Sequence, residues 1–222
     1  MIRHLVFTLC LSLPTLLFCQ DYEIGVFTGA SNYQGDLADE VIQFAETHIA
    51  FGVILRYNQD PNWSFNTHVY LGRISGNDAN SGEPGRRARG YSFSAPLTEI
   101  GLNAEWSPFK SPFKRWGAFR PTLSPFLFTG MNLTLSSANP TAPANTVPYP
   151  FPEAGAKDYF ISIPLGVGLK YKFASNFSAN FEIGYRYAFS DYLDGVSIHG
   201  NPKNNDLYVI GGFSLNFTLG TD

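Results

Sequence analysis

Charged side chains recur inside otherwise apolar stretches of this 222-residue chain, where they could form ion pairs or line a path for ions. Within each stretch they share one face with Gly, Ser and Asn, and the opposite face is apolar. The set has four acids and four bases, namely Glu23, Arg56, Glu99, Glu105, Lys170, Lys172, Glu182 and Arg186. His68, Asn66, Asn103, Asn180 and Asn216 lie on the same face. Because an unpaired charge in a narrow interior is costly to desolvate, the balance predicts paired charges that plug the interior. A gated ion path is the functional alternative.

Two histidines and one acidic loop are the other residues with catalytic or metal-binding chemistry. His48 begins a predicted strand and His199 lies in a long loop, but no Ser–His–acid spacing stands out around them. A triad is recognised by geometry rather than by order, so a lipid-modifying enzyme stays as a third hypothesis. Residues 191–195 (DYLDG) fall short of a calcium-loop pattern, and we interpret them as a solvated turn. We therefore expect no enzyme activity, no cofactor and no metal site.

One basic and aromatic segment, residues 108–120, is far longer than a hairpin turn needs. It has four bases, three Phe, one Trp and no acid. Aromatic residues and Arg are enriched in protein interfaces, which makes this segment a candidate contact for a protein partner. The candidate residues are Lys110, Lys114, Arg115, Trp116 and Arg120. The alternative is that the rings enter lipid and the bases meet lipid headgroups.

A second basic cluster contains Arg86, Arg87 and Arg89 in a long loop. Outside a cell these guanidinium groups could bind the phosphates of lipopolysaccharide, because Arg binds phosphate with two parallel hydrogen bonds. Packing between loops and plain solubility are the alternatives.

The elements that position these side chains are predicted from a two-residue rhythm. It is first seen where Ile49, Phe51, Val53 and Leu55 alternate with Ala50, Gly52, Ile54 and Arg56. A period of two indicates strands. We expect eight strands at about residues 22–31, 48–57, 63–74, 96–106, 121–134, 159–173, 177–189 and 206–219. An apolar face on each strand opposite charges predicts an all-β, eight-stranded antiparallel transmembrane β-barrel of the outer-membrane type. A soluble ligand-binding barrel would need the reverse pattern.

The connections between these strands alternate between short and long. Outer-membrane barrels have short periplasmic turns and long external loops, which predicts a Gram-negative outer membrane with both termini in the periplasm. Outward aromatic residues beside the short turns predict a belt at the membrane interface. They are Tyr57, Trp63, Trp106, Tyr171, Phe173, Phe177 and Phe217. Outer-membrane lipid and lipopolysaccharide are the expected surroundings.

The first residues predict a secretory signal peptide over 1–19, followed by a barrel domain over 20–222. An uncharged stretch follows a short positive start and is too short for a spanning helix. A lipoprotein cysteine at Cys19 is disfavoured by Phe18 before it. Both cysteines lie in this segment, so the mature chain has no disulfide. The formal net charge of −3 gives no indication of a nucleic-acid partner.

Three motifs in order resemble a known family. They are residues 31–37 (SNYQGDL), 72–79 (GRISGNDA) and 191–197 (DYLDGVS), each after a predicted strand. Together they resemble the PorG-like outer-membrane β-barrels of Bacteroidota, which are components of the type IX secretion system. The resemblance implies a non-enzymatic accessory protein that anchors or organises a periplasmic ring complex at the outer membrane. The alternative is a small structural or adhesion-type barrel that acts through its external loops.

Overall fold

Eight antiparallel strands close into a barrel, which confirms the predicted fold class. The computed structural model describes residues 22–34, 44–82, 84–109, 120–141, 159–190, 193 and 206–219. The strands are β1 Tyr22–Gln34, β2 His48–Asn58, β3 Trp63–Asn77, β4 Ser92–Trp106, β5 Thr122–Ser136, β6 Tyr159–Lys172, β7 Phe177–Ala188 and β8 Leu207–Leu219. Each strand pairs with its neighbour in sequence, and β8 pairs with β1 to close the barrel.

Among the described residues, three short helical segments accompany the strands on the side of the long connections. They are the 3₁₀ turns Phe44–Glu46 and Asp78–Asn80 and the helix α1, Pro84–Arg89. In the part of the chain that the structure describes, no helix has the length and apolar character needed to cross a membrane.

The alternation of side chains along the strands determines which face is inside. Leu165 on β6 is 69% exposed on the outer wall, whereas Arg56 on β2 is fully buried inside the barrel. Large apolar residues such as Val26, Leu102 and Phe213 are exposed on the same outer wall. An outer wall of this kind is favourable only where lipid replaces water, because exposed apolar area costs about 25 cal/mol per Å² in water.

Several strands run further than the hydrophobic rhythm predicted. β4 begins at Ser92, and β1 and β3 continue to Gln34 and Asn77. The ladder there pairs Ser75 with Ser94 and Gly76 with Phe93, so backbone hydrogen bonds continue after the outward side chains have become polar. Hydrophobic alternation marks only the part of a strand that faces lipid, and strand length is set by the ladder.

Lumen-facing glycines make room for aromatic rings that fill the barrel. Gly166 and Gly168 on β6 lie under the rings of Phe128 and Phe126, which project from β5. A Cβ atom at either glycine would collide with the ring above it. The interior of this barrel is therefore a packed core, as an eight-stranded barrel allows.

The two ends of the barrel differ, and we name them by their connections. At the short-turn end, residues 59–62 join β2 to β3, and Asp60 Oδ1 accepts hydrogen bonds from the backbone N–H groups of Asn62 (2.7 Å) and Trp63 (2.9 Å). Residues 173–176 join β6 to β7 at the same end. The long-loop end is the opposite end, where β1, β3, β5 and β7 finish.

Candidate functional site

The lumen holds a buried ion cluster near the short-turn end, formed by Arg56, Glu105, Glu23 and Lys170. Arg56 makes a bidentate contact with Glu105, with Nε 2.9 Å from Oε2 and Nη2 3.0 Å from Oε1. Its Nη1 lies 3.1 Å from Glu23 Oε2, and Lys170 Nζ lies 3.4 Å from the same oxygen. Two acids and two bases thus neutralise each other at buried positions, which is the arrangement that buried charges require.

Amide side chains complete the hydrogen bonding of this short-turn cluster. Asn66 Nδ2 donates to Glu105 Oε1 at 2.5 Å, and Asn58 Nδ2 donates to Glu23 Oε1 at 3.0 Å. Both asparagines are buried. With these bonds each carboxylate has several donors, and the cluster spans the lumen from β1 and β2 to β4 and β6.

A second, mid-lumen cluster is centred on Glu99. Its carboxylate faces His68 Nε2 at 3.0 Å, Arg186 Nε at 3.5 Å and the Tyr208 hydroxyl, which donates at 2.6 Å. Arg186 Nη1 also donates to the carbonyl oxygens of Gly184 (2.6 Å) and Ile210 (2.9 Å). All three partners of Glu99 are buried, so the mid-lumen cluster, like the short-turn cluster, consists of buried side chains.

Both ring nitrogens of His68 face oxygen atoms. Nε2 faces Glu99, and Nδ1 lies 3.2 Å from Asn66 Oδ1, whose amide is oriented by its bond to Glu105. Which of the two nitrogens donates depends on the tautomer of the imidazole. His68 thus connects Glu99 of the mid-lumen cluster to Asn66 of the short-turn cluster.

Seven of the eight charged residues expected in the lumen are buried there. Lys172, the last residue of β6, is half-buried at the short-turn end. Sequence reasoning missed two tyrosines. Tyr70 donates to Glu182 Oε1 at 2.7 Å, and Tyr208 donates to Glu99. Their inward positions on β3 and β8 were readable from the alternation, but their hydroxyl partners lie across the barrel.

An apolar layer closes the lumen at the long-loop end. Leu193, which follows β7, is buried against an apolar cluster that includes Tyr33 and Phe93. Asp206 links two residues of this layer by hydrogen bonds. Its Oδ2 accepts from the Leu193 N–H at 2.9 Å, and its Oδ1 accepts from the Tyr33 hydroxyl at 2.8 Å. The described residues of the lumen thus form two ionic layers and one apolar layer.

The structure also brings together a serine, a histidine and a carboxylate at the rim of the long-loop end. His48 Nε2 lies 2.7 Å from Ser75 Oγ, and the Ser75 hydroxyl donates its hydrogen to Glu46. In a hydrolase triad the acid binds the imidazole, whereas here it binds the serine. Asn80 donates to the other oxygen of Glu46 at 2.6 Å, so these side chains attach the turn Phe44–Glu46 to β3.

Most of the basic segment lies outside the described residues, including Lys110, Lys114, Arg115 and Trp116. Arg120 is described, and it is exposed two residues before the start of β5 at the short-turn end. The predicted signal peptide, His199, and residues 191–195 other than Leu193 also lie outside the described part. Of the basic cluster on α1, Arg87 is exposed and donates to the Ser81 carbonyl at 3.0 Å. No group of three metal-ligating side chains occurs among the described residues.

Aromatic side chains surround the short-turn end on the outer wall. Trp63 pairs with Trp106 across β3 and β4, and the Phe177 and Phe217 rings lie 5.1 Å apart. The series continues through Phe173, 6.3 Å from Phe177, and Tyr171, 6.2 Å from Phe173. Tyr57 is half-buried against Tyr22 at 5.1 Å. Rings in this arrangement are typical of the interface between lipid and water.

A closed barrel with a filled lumen, an apolar outer wall and an aromatic belt defines the class of outer-membrane β-barrels. The chain belongs to the family described as Domain of unknown function (DUF6089), whose pattern matches residues 2–222. No curated protein sequence is significantly similar to this chain.

Solved structures of bacterial outer-membrane proteins are similar to this chain, and the similarity to Neisserial surface protein A supports the fold. Neisserial surface protein A matches with a TM-score of 0.53 and 12% identity, over 89% of this chain and 96% of that protein. A major outer membrane protein from Thermus thermophilus matches with a TM-score of 0.44 and 14% identity, over 88% and 99%. OprG from Pseudomonas aeruginosa matches with a TM-score of 0.42 and 9% identity, over 90% and 98%. At these identities the likeness concerns the fold alone.

Proposed function

We propose that this chain is a non-enzymatic outer-membrane protein that anchors or organises the periplasmic ring complex of the type IX secretion system. The observation that carries the anchoring role is the filled lumen. Two ionic layers and an apolar layer occupy the interior, so the barrel acts through its surfaces and its two ends rather than as a pore. The termini and the short turns face the periplasm in this proposal.

The secretion role is supported by the three sequence motifs and by the chemistry of the short-turn end. A basic, aromatic connection between β4 and β5 is of the composition that protein interfaces favour. Arg120 is exposed at the end of this connection, and Phe109 is exposed at its start. A periplasmic partner with an acidic and apolar surface would complement it.

The filled lumen predicts that the purified protein forms no large, stable channels. The measurement is conductance in a planar bilayer, with an open porin in the same lipid as the positive control. Each of the ionic layers would have to rearrange before ions could pass, because their charged groups are buried and mutually bonded. Large steps that stay open for seconds would contradict the anchoring role and favour an ion path.

The basic segment predicts a partner contact that is lost when its positive charges are removed. Replacing Lys110, Lys114, Arg115 and Arg120 with Ser in the source bacterium is expected to abolish co-purification of ring proteins and to lower secretion about tenfold or more, since several charged interface contacts are lost together. The measurements are affinity purification of the barrel and quantitation of secreted proteins in the medium.

A matched control replaces exposed Arg73 and Arg87, at the long-loop end, with Ser and should leave secretion unchanged. If the fourfold variant still secretes normally, the contact lies elsewhere on the molecule. If deletion of the whole gene leaves secretion intact, the anchoring role is wrong, and the alternative of a barrel that acts through its external loops takes its place.

A further inference from the structure

A concave groove of about 350 Å³ lies on the outer wall beside the seam where β1 meets β8. Its floor is the pair Ala30 and Gly211, which are opposite each other across the seam. Phe181 and Phe213 flank one end, with ring centroids 5.1 Å apart. The groove therefore lies on the lipid-facing surface and not in the lumen.

The groove exists because small residues replace large ones at two adjacent outward positions. Gly211 has no side chain, and a Cβ atom there would lie 3.1 Å from Ile183 Cγ1 on the neighbouring strand. Among the residues that line the groove, Val209 is 5% exposed and Asn32 is 4% exposed. Outward positions elsewhere on the wall, such as Leu102 and Val167, are broadly exposed.

The chemistry of the groove changes along its length. Its lining is apolar from Phe213 to Val209. At the long-loop end it finishes at two polar side chains, where Asn32 Nδ2 donates to Thr47 Oγ1 at 2.9 Å. A groove with an apolar lining and hydrogen-bonding side chains at one end complements a fatty acyl chain and the ester or amide group that attaches it.

We propose that this groove binds one acyl chain of lipopolysaccharide, in the leaflet next to the long loops. The choice of leaflet rests on the orientation given in the proposed function. The charges at this end suit an anionic headgroup, because Arg73 and Arg87 are both exposed there and guanidinium groups bind phosphate strongly. The aromatic belt, by contrast, surrounds the opposite end.

The test is lipid retention by the full-length barrel, measured by native mass spectrometry after mild detergent extraction. The protein is reconstituted in two bilayers, one of phosphatidylethanolamine and phosphatidylglycerol and one that also contains lipopolysaccharide. We expect one retained lipopolysaccharide for the wild type. Ala30→Leu places a larger side chain on the groove floor and should lower the retained fraction about tenfold, since about two methylene contacts are displaced.

Ala104→Leu is the matched control, because Ala104 also faces outward, on β4, away from the groove. It should retain lipid as the wild type does, and the heat-dependent mobility of each variant on a gel verifies that the barrel is folded. Equal retention by both variants, retention of phospholipid alone, or a retained second copy of the chain would each overturn the proposal. Secretion is not part of this measurement, so failure of the secretion role would leave its result unchanged.

Discussion

Arg56→Met is expected to lower the free energy of unfolding of the barrel by about 3–5 kcal/mol, the cost typical of breaking a buried ion pair by removing one partner. Arg56 is the centre of the short-turn cluster, where it binds Glu105 and Glu23. Methionine fills a similar volume but leaves Glu105 without its bidentate partner. The measurement is the midpoint of urea unfolding in detergent micelles, followed by tryptophan fluorescence.

Two further variants separate the loss of the pair from a general effect of the substitution. Arg73→Met removes an exposed Arg and should shift the midpoint little, because exposed charges contribute at most about 1 kcal/mol. Arg56→Met combined with Glu105→Gln should lower the free energy of unfolding by less than the sum of the two single variants, because the carboxylate left without its partner is now a neutral amide. An Arg56→Met shift as small as that of Arg73→Met would show that the cluster does not stabilise the barrel.

Leu165→Arg is expected to destabilise the barrel by about 2–4 kcal/mol in a lipid bilayer, the cost of Arg near the midplane on the lipid face of such barrels. Leu165 is exposed near the middle of β6, so its side chain meets only the surroundings of the barrel. In water the same change at an exposed position would be nearly neutral. The measurement is reversible unfolding in lipid vesicles.

Tyr159→Arg is the control on the same strand and the same face. Tyr159 is the first residue of β6 at the long-loop end and is exposed. Arg at this height reaches the headgroups, so the expected cost is about 0–1 kcal/mol. Equal losses of stability at the two positions would contradict a membrane-spanning wall, because the expected difference comes from the depth of each position in the bilayer.

The alternation of side chains along the strands was enough to predict most of the fold. Arg56 and Glu105 were placed inside, and Trp63 and Phe217 outside, from their positions in strands with a period of two. Strand ends were less accurate, as at Ser92, because the ladder continues beyond the lipid-facing region. The rim cluster of Ser75, His48 and Glu46 was not readable at all, since β3 and the turn before β2 meet only after the strands pair.

By itself the sequence determined the class of protein, the face of each strand and the excess of small or charged residues inside. Only the tertiary structure decided the partners. Arg56 meets Glu105 from β4, Tyr70 meets Glu182 from β7, and Leu193 enters the long-loop end of the lumen. The physical reason is that a strand's period assigns a side chain to a face, whereas contacts across the lumen depend on how the strands are staggered when the barrel closes.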